Sequence, residues 1–286
     1  MRAAGLRSFA VAASTLGLLA STGASAQDLV AFSVDTAVMR SPPAQTTLVV
    51  GDDAVTGTDD RTGAAFVRAL PGVPAEADLV ALETAASQQL EWLAFDITLA
   101  LPTAAGTVLV RPRDIVRHDR AAGTYSVAVA AEALGVPDGI GIDAIARGAS
   151  GEFLVSFDGW FETSGRVLRP DALYRFDPTA GAYAAAPAFD PAIGGPEGVV
   201  DLDLADAPSA GPLAGVLLLG FDTAIGFSQN TVRYDDTTIV AADAATSSIV
   251  AAYLFDAHVV LPSGHDIDAF ASSRIADALF ADGFED

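Results

Sequence analysis

The sequence predicts an all-β chain built from about four repeats of roughly sixty residues. Three observations carry that prediction. First, an apolar run ending in Asp recurs at Asp35, Asp96, Asp158 and Asp222, at spacings of 61, 62 and 64. Second, an apolar-Arg-aromatic-Asp element occurs as Val116-Arg117-His118-Asp119, Tyr174-Arg175-Phe176-Asp177 and Val232-Arg233-Tyr234-Asp235. Its arginines lie 58 and 58 apart. Third, a carboxylate element follows a Gly/Pro-rich stretch: Asp78-Leu79-Val80-Ala81, Gly141-Ile142-Asp143-Ala144, Asp201-Leu202-Asp203-Leu204 and Asp266-Ile267-Asp268-Ala269.

Residues 1–26 read as a cleaved signal peptide. Arg2 and Arg7 supply a positive start, Phe9 to Ala20 a short apolar run, and Ala24-Ser25-Ala26 the small residues preferred at a cleavage site. The mature chain is expected to start at Gln27 and to be exported. Its longest later apolar run, Leu213 to Phe221, is strand-sized, so no membrane span is expected.

Residues 27–270 form the repeat-built domain. The runs Phe153 to Phe157 and Val216 to Leu219 are continuously apolar, as in strands buried on both faces. Asp177-Pro178-Thr179-Ala180-Gly181 is turn chemistry: Asp bonds the backbone ahead of it, Pro presets φ, and Gly accepts a left-handed conformation. Asp119 to Gly123 repeats that spacing, and a strand follows each turn. Four strands per repeat result. Four such units suggest a small β-propeller closed by the two termini, which removes exposed sheet edges. A sandwich or an irregular β-solenoid is the alternative. One stretch competes: Ala75 to Phe95 carries Leu79, Leu82, Ala86, Leu90 and Leu93 at helical spacing. The repeat predicts strands there instead. Residues 271–286 are a C-terminal tail, with a short helix expected over Ala271 to Phe280.

These elements resemble a group of uncharacterised exported bacterial repeat proteins with D-I-D-A, L-L-x-F-D and Y-x-F-D-P-x-T-G motifs. The ending Phe280-Ala281-Asp282-Gly283-Phe284-Glu285 is similar to an F-x-D-G-F-E terminus of secreted Gram-negative proteins. The resemblance implies a secreted, periplasmic or outer-envelope location and no particular activity. The first repeat departs from the pattern, with Val80 in place of the second Asp.

Charge narrows the function classes. With 37 acidic residues against 15 basic ones, the net charge of -22 argues against nucleic acid. The absence of cysteine excludes thiolate chemistry and disulfides. No nucleophile elbow, zincin helix, phosphate loop or EF-hand loop occurs, so no catalytic residue is nominated. His118 takes the place of Phe176 and is expected to be a packed ring, and His265 a solvated loop residue. The acids Asp52, Asp53, Asp59 and Asp60 read as a solvated turn.

The carboxylate element alone has geometry behind it. Strand residues two apart share a face, so Asp201 projects with Asp203, and Asp266 with Asp268. If the strands meet around an axis, then Asp143, Asp201, Asp203, Asp266 and Asp268 converge and their repulsion must be offset. Ca²⁺ would do so as a hard cation with oxygen ligands. So would pairing with Arg117, Arg175 and Arg233. Two functions stay open. One is a non-enzymatic secreted or envelope binding or scaffold protein, with an unknown protein or small-molecule ligand. The other is a calcium-dependent propeller-type hydrolase of lactonase or phosphatase class.

Overall fold

A computed structural model describes residues 29–33, 38–40, 48–50, 54–59, 64–85, 89–191, 202–208, 215–222, 225–226, 233–234, 238–256, 267 and 269–272. The signal-peptide stretch, the end of the tail, Asp35, Asp201, Asp235, Asp266, Asp268 and His265 lie outside these residues.

The described chain is all-β apart from one helical turn, α1 (Ala131–Leu134), and the helical Pro191. Four antiparallel four-stranded sheets follow one another. Sheet 1 orders β24 (Ala269–Ser272), β1 (Leu29–Ser33), β4 (Ala54–Asp59) and β5 (Ala64–Ala69). Sheet 2 orders β6 (Leu79–Thr84), β7 (Leu90–Phe95), β10 (Ile115–Asp119) and β11 (Thr124–Val129). Sheet 3 orders β12 (Ile142–Arg147), β13 (Phe153–Phe157), β16 (Tyr174–Asp177) and β17 (Ala182–Tyr183). Sheet 4 orders β18 (Leu204–Asp206), β19 (Val216–Gly220), β22 (Thr238–Asp243) and β23 (Ser248–Asp256). The first strands touch in sequence: β6 packs on β12, β12 on β18, β18 on β24, and β24 on β6.

Each repeat also carries a two-stranded hairpin between its second and third strands, which the four-strand count omitted. These hairpins are β2 (Val38–Arg40) with β3 (Leu48–Val50), β8 (Leu99–Thr103) with β9 (Gly106–Val110), β14 (Phe161–Thr163) with β15 (Arg166–Leu168), and β20 (Ile225–Gly226) with β21 (Arg233–Tyr234). The stretch of helical spacing forms β6 and β7 instead. Paired in one sheet, Leu79 and Leu82 pack with Leu93 and Phe95 in a single buried cluster, so tertiary burial overrides local propensity.

The repeat motifs fall on equivalent places. Phe95 and Phe157 close the second strands of sheets 2 and 3, Phe221 directly follows that of sheet 4, and all three are buried. Each carboxylate element sits at the start of a first strand. In sheets 2 and 3 the ladder is bulged there, between Leu79 and Ala81 and between Ile142 and Ala144. Asp96 holds that start: its carboxylate accepts the Asp78 N–H at 2.7 Å, while its own N–H donates to the Asp78 carbonyl. Between sheets, Pro112 and Pro170 carbonyls accept the N–H groups of Ile142 and Leu202, linking each Arg-Pro loop to the next first strand.

The third Arg-aromatic element is a correction. Arg233 and Tyr234 lie in the β20–β21 hairpin, not on the third strand of sheet 4. The true counterpart of Asp119 and Asp177 is Asp243. Each of these carboxylates accepts the N–H groups two and three residues ahead, and each carbonyl accepts the N–H four ahead. The residue at that fourth position is left-handed in all three turns: Gly123 (φ 63°), Gly181 (φ 63°) and Ser247 (φ 52°). Asp243 follows Asp177 by 66 residues rather than 58, so the constant spacing pointed to the wrong segment.

Candidate functional site

Polar side chains are buried where sheets 1 and 2 meet. Glu91 on β7 and His118 on β10 face each other in register, and Tyr125 on β11 opposes His118. All three are buried, Glu91 to 1% exposure and His118 to 2%. His118 Nδ1 donates to Glu91 Oε2 at 2.9 Å, and its ring stacks on Tyr125 with centroids 4.4 Å apart. Arg68, at the end of β5, reaches across from sheet 1 and grips both Glu91 oxygens; Nη1 lies 3.0 Å from Oε2. Arg120 lies 3.9 Å from the same carboxylate.

A cavity of about 330 Å³ opens on this group, lined by Arg68, Ala69, Pro71, Gln89, His118 and Arg120. Arg68 Nε and His118 Nε2 are buried without a hydrogen-bond partner among the described residues. Burial lowers the Arg68 pKa, with Glu91 opposing and the Arg120 charge assisting the shift. Burial, then the Glu91 charge, raises that of Tyr125. The packed-ring expectation for His118 is met by the Tyr125 stack. The Glu91 bond was not anticipated, because Glu91 sits in the stretch of helical spacing and has no acidic counterpart in the other repeats.

Sheet 3 answers this layer with hydrocarbon. Phe153, Phe176 and Tyr183 occupy the positions of Glu91, His118 and Tyr125. Phe176 meets Tyr183 edge-on at 5.1 Å. The Tyr183 hydroxyl donates to the Leu134 carbonyl at 3.0 Å, whereas the Tyr125 hydroxyl has no such partner among the described residues.

A second polar feature lies among the first strands. Four residues past Leu79, Ile142, Leu202 and Ile267 stand Glu83, Ala146, Asp206 and Ala271, all buried. Acids thus alternate with alanines, and Glu83 and Asp206 belong to β6 and β18, which the contacts of the first strands place opposite one another. Burial, then the Asp206 charge, pushes Glu83 well above the usual carboxylate range. The Arg147 N–H, donating to Glu83 Oε2 at 3.0 Å, works in the other direction. The alternation is legible once the repeats are aligned on those apolar residues.

Of the five aspartates expected at a metal, Asp143 and Asp203 are described. Both are half-buried at the starts of β12 and β18, and each interacts with a neighbouring residue. Asp201, Asp266 and Asp268 lie outside the described residues. Among the described residues, no group of three or more His, Asp or Glu side chains is arranged to hold a metal ion. The arginines that pair with acids include Arg111, which binds Asp114 and Glu132, and Arg169, which binds Asp171 and Asp190. Arg111 holds the exposed Glu132 carboxyl down at about 2. No helix among the described residues is long and apolar enough to cross a membrane.

No known protein family matches the sequence, and no curated protein matches it. Among solved structures, the chain is similar to a protein of unknown function from Bacteroides caccae (8% identity, TM-score 0.37), over 88% of this chain and 100% of that one. It is also similar to a chain of a nidogen/laminin complex (8% identity, TM-score 0.38), over 87% and 100% respectively.

Proposed function

We propose that the four sheets close into a propeller-like ring and that the protein is an exported, non-enzymatic binding protein. Its ligand enters the cavity beside Glu91 and His118. The cycle of contacts among first strands, and the sharing of sheet 1 by β24 and β1, support the ring. The single observation behind the site is the layer of Glu91 and His118 where sheet 3 has Phe153 and Phe176. Sheet 3 is built the same way without these polar groups, so the fold has no need of them. Buried charges cost several kcal/mol each in desolvation, and well-packed apolar replacements are often as stable.

The test is the exchange of Glu91→Phe with His118→Phe, together with Arg68→Leu. A layer kept for binding leaves the exchanged protein folded and melting no lower than the wild type. It also abolishes the thermal shifts that a small-molecule screen gives with the wild type. A melting temperature many degrees lower makes the layer structural and overturns the assignment. Export is checked by mass spectrometry of secreted material, which should start at Gln27. The calcium-dependent hydrolase is the competing outcome, and it requires a chelator-sensitive melting temperature that Asp203→Asn blunts.

A further inference from the structure

We propose that the open edge of sheet 2 takes an extended peptide carrying an acidic side chain, which adds to β11 as a fifth strand. This surface shares no lining residue with the cavity beside His118. β11 is the last strand of its sheet, and the β8–β9 hairpin packs against it without joining its ladder. Among the described residues, the outward backbone groups of residues 124–127 have no hydrogen-bond partner. Such an edge is a template for another chain, and proteins commonly blunt it with charge, proline or a very short strand. The six residues of β11 include no charge and no proline, and its bulge comes only past Val127. Its counterpart β17 stops after two residues. The space beside β11 is a cavity of about 430 Å³, walled by residues 124–127 and by residues 103–105 at the hairpin turn. Room for a strand lies where the backbone groups are unmet.

Charge selects the partner. Arg117 on β10 opposes Ser126 across the ladder, and both residues are exposed. The small serine leaves the longer side chain a path over β11, and Arg117 lines the cavity beyond it. Unlike Arg111 and Arg169, Arg117 pairs with no acid among the described residues. Asp119 also lines the cavity, but its Oδ1 accepts the Ala121 and Ala122 N–H groups of its own turn. An unpaired guanidinium in a chain of net charge -22 is the complement of a carboxylate. A strand laid beside β11 turns alternate side chains to opposite faces. The residue beside Ser126 therefore shares a face with Arg117. Its two neighbours share the other face with Val127 and the hairpin's Val108, both half-buried there. Main-chain bonds supply affinity in this mode and the alternate side chains supply specificity, so the partner reads apolar-acidic-apolar.

A library of random heptapeptides displayed on phage and panned against the full mature chain tests both parts. Recovered sequences should carry Asp or Glu between apolar residues. The best of them, synthesised, should bind the wild type about tenfold or more tightly than Arg117→Gln, as a charge-assisted contact requires. Its version with Gln in place of the acid should bind both proteins equally. Circular dichroism confirms that the variant folds, and bound peptide should slow amide exchange at residues 124–127. No enriched sequence, or enriched sequences indifferent to Arg117→Gln, overturns the proposal. Tight binding that leaves exchange at residues 124–127 unchanged also overturns it, by placing the peptide elsewhere. Dimerisation in analytical ultracentrifugation that protects the same amides gives the edge to a second copy and overturns the peptide. The small-molecule screen tests the cavity beside His118 separately, so either site can fail alone.

Discussion

Sheets 2 and 3 are two answers to one backbone problem. Both order their strands alike, extend a hairpin between the second and third strands, and end the second strand on a buried phenylalanine. Both turn from third to fourth strand on an Asp that binds the backbone ahead of it. They differ in the layer nearest the turn. In sheet 3, Phe153, Phe176 and Tyr183 form a ring cluster that Arg147 caps from 4.3 Å above Phe153. In sheet 2 the same positions hold a carboxylate, an imidazole and a phenol, braced by an arginine from sheet 1. Conserved architecture with divergent chemistry separates what the fold requires from what is added to it.

The sharpest way to break this comparison is to cut the shared part. Phe95→Ala and Phe157→Ala each remove a fully buried ring and should each cost about 3–5 kcal/mol. Chemical denaturation measures both. Closely similar losses fit positions that are truly equivalent. A loss near zero at either would mean that the phenylalanines do not share a role.

How far the sequence reveals the fold follows from the same division. Repeats are legible because backbone needs recur: an Asp that caps a turn, a ring that closes a strand, an apolar residue that starts a first strand. The hairpins escape a motif count because they vary; β8–β9 runs Leu99 to Val110, while β14–β15 runs Phe161 to Leu168. Sheet 4 misleads through Arg233-Tyr234-Asp235, which mimics a third-strand element inside a hairpin. The candidate site is the least legible part. Glu91, Arg68 and His118 belong to three strands and to no shared motif, and only the sheet-to-sheet packing brings them together.

A pH experiment sharpens the comparison between polar groups that bind and polar groups that strain. Glu83 is raised in the folded state, by burial first and then by Asp206, so the folded protein holds a proton the unfolded chain releases earlier. Below the ordinary glutamate range both states are protonated and its full stabilising contribution is present. As pH rises toward the folded value, stability falls by up to about 1.4 kcal/mol per pH unit. Glu83→Gln keeps an acceptor for the Arg147 N–H and should flatten that decline, so the variant gains on the wild type as pH rises. Parallel stability curves for the two proteins would show that Glu83, buried and opposed by Asp206, is not the source of the decline.

The smallest effects belong to the turns, where sheets 3 and 4 solve one geometry with different residues. Gly181 is left-handed at φ 63°, and a Cβ built there meets no atom within 4 Å. Gly181→Ala therefore costs only backbone conformation, about 1–2 kcal/mol for an L-residue held left-handed. Ser247 already bears that strain at φ 52°, and its hydroxyl oxygen accepts the Asp190 N–H at 3.0 Å, tying the sheet 4 turn to the chain that leaves sheet 3. Ser247→Gly relieves the strain and surrenders an acceptor worth about 0.5–1.5 kcal/mol. The two terms oppose, so the net change should lie between a loss of about 0.5 and a gain of about 1.5 kcal/mol. Ser247→Ala keeps the strain while losing the acceptor, and should be the less stable of the two by about the strain itself, 1–2 kcal/mol. Equal stability of the glycine and alanine variants would show that the left-handed turn carries no strain at Ser247, and that the hydroxyl alone explains the residue.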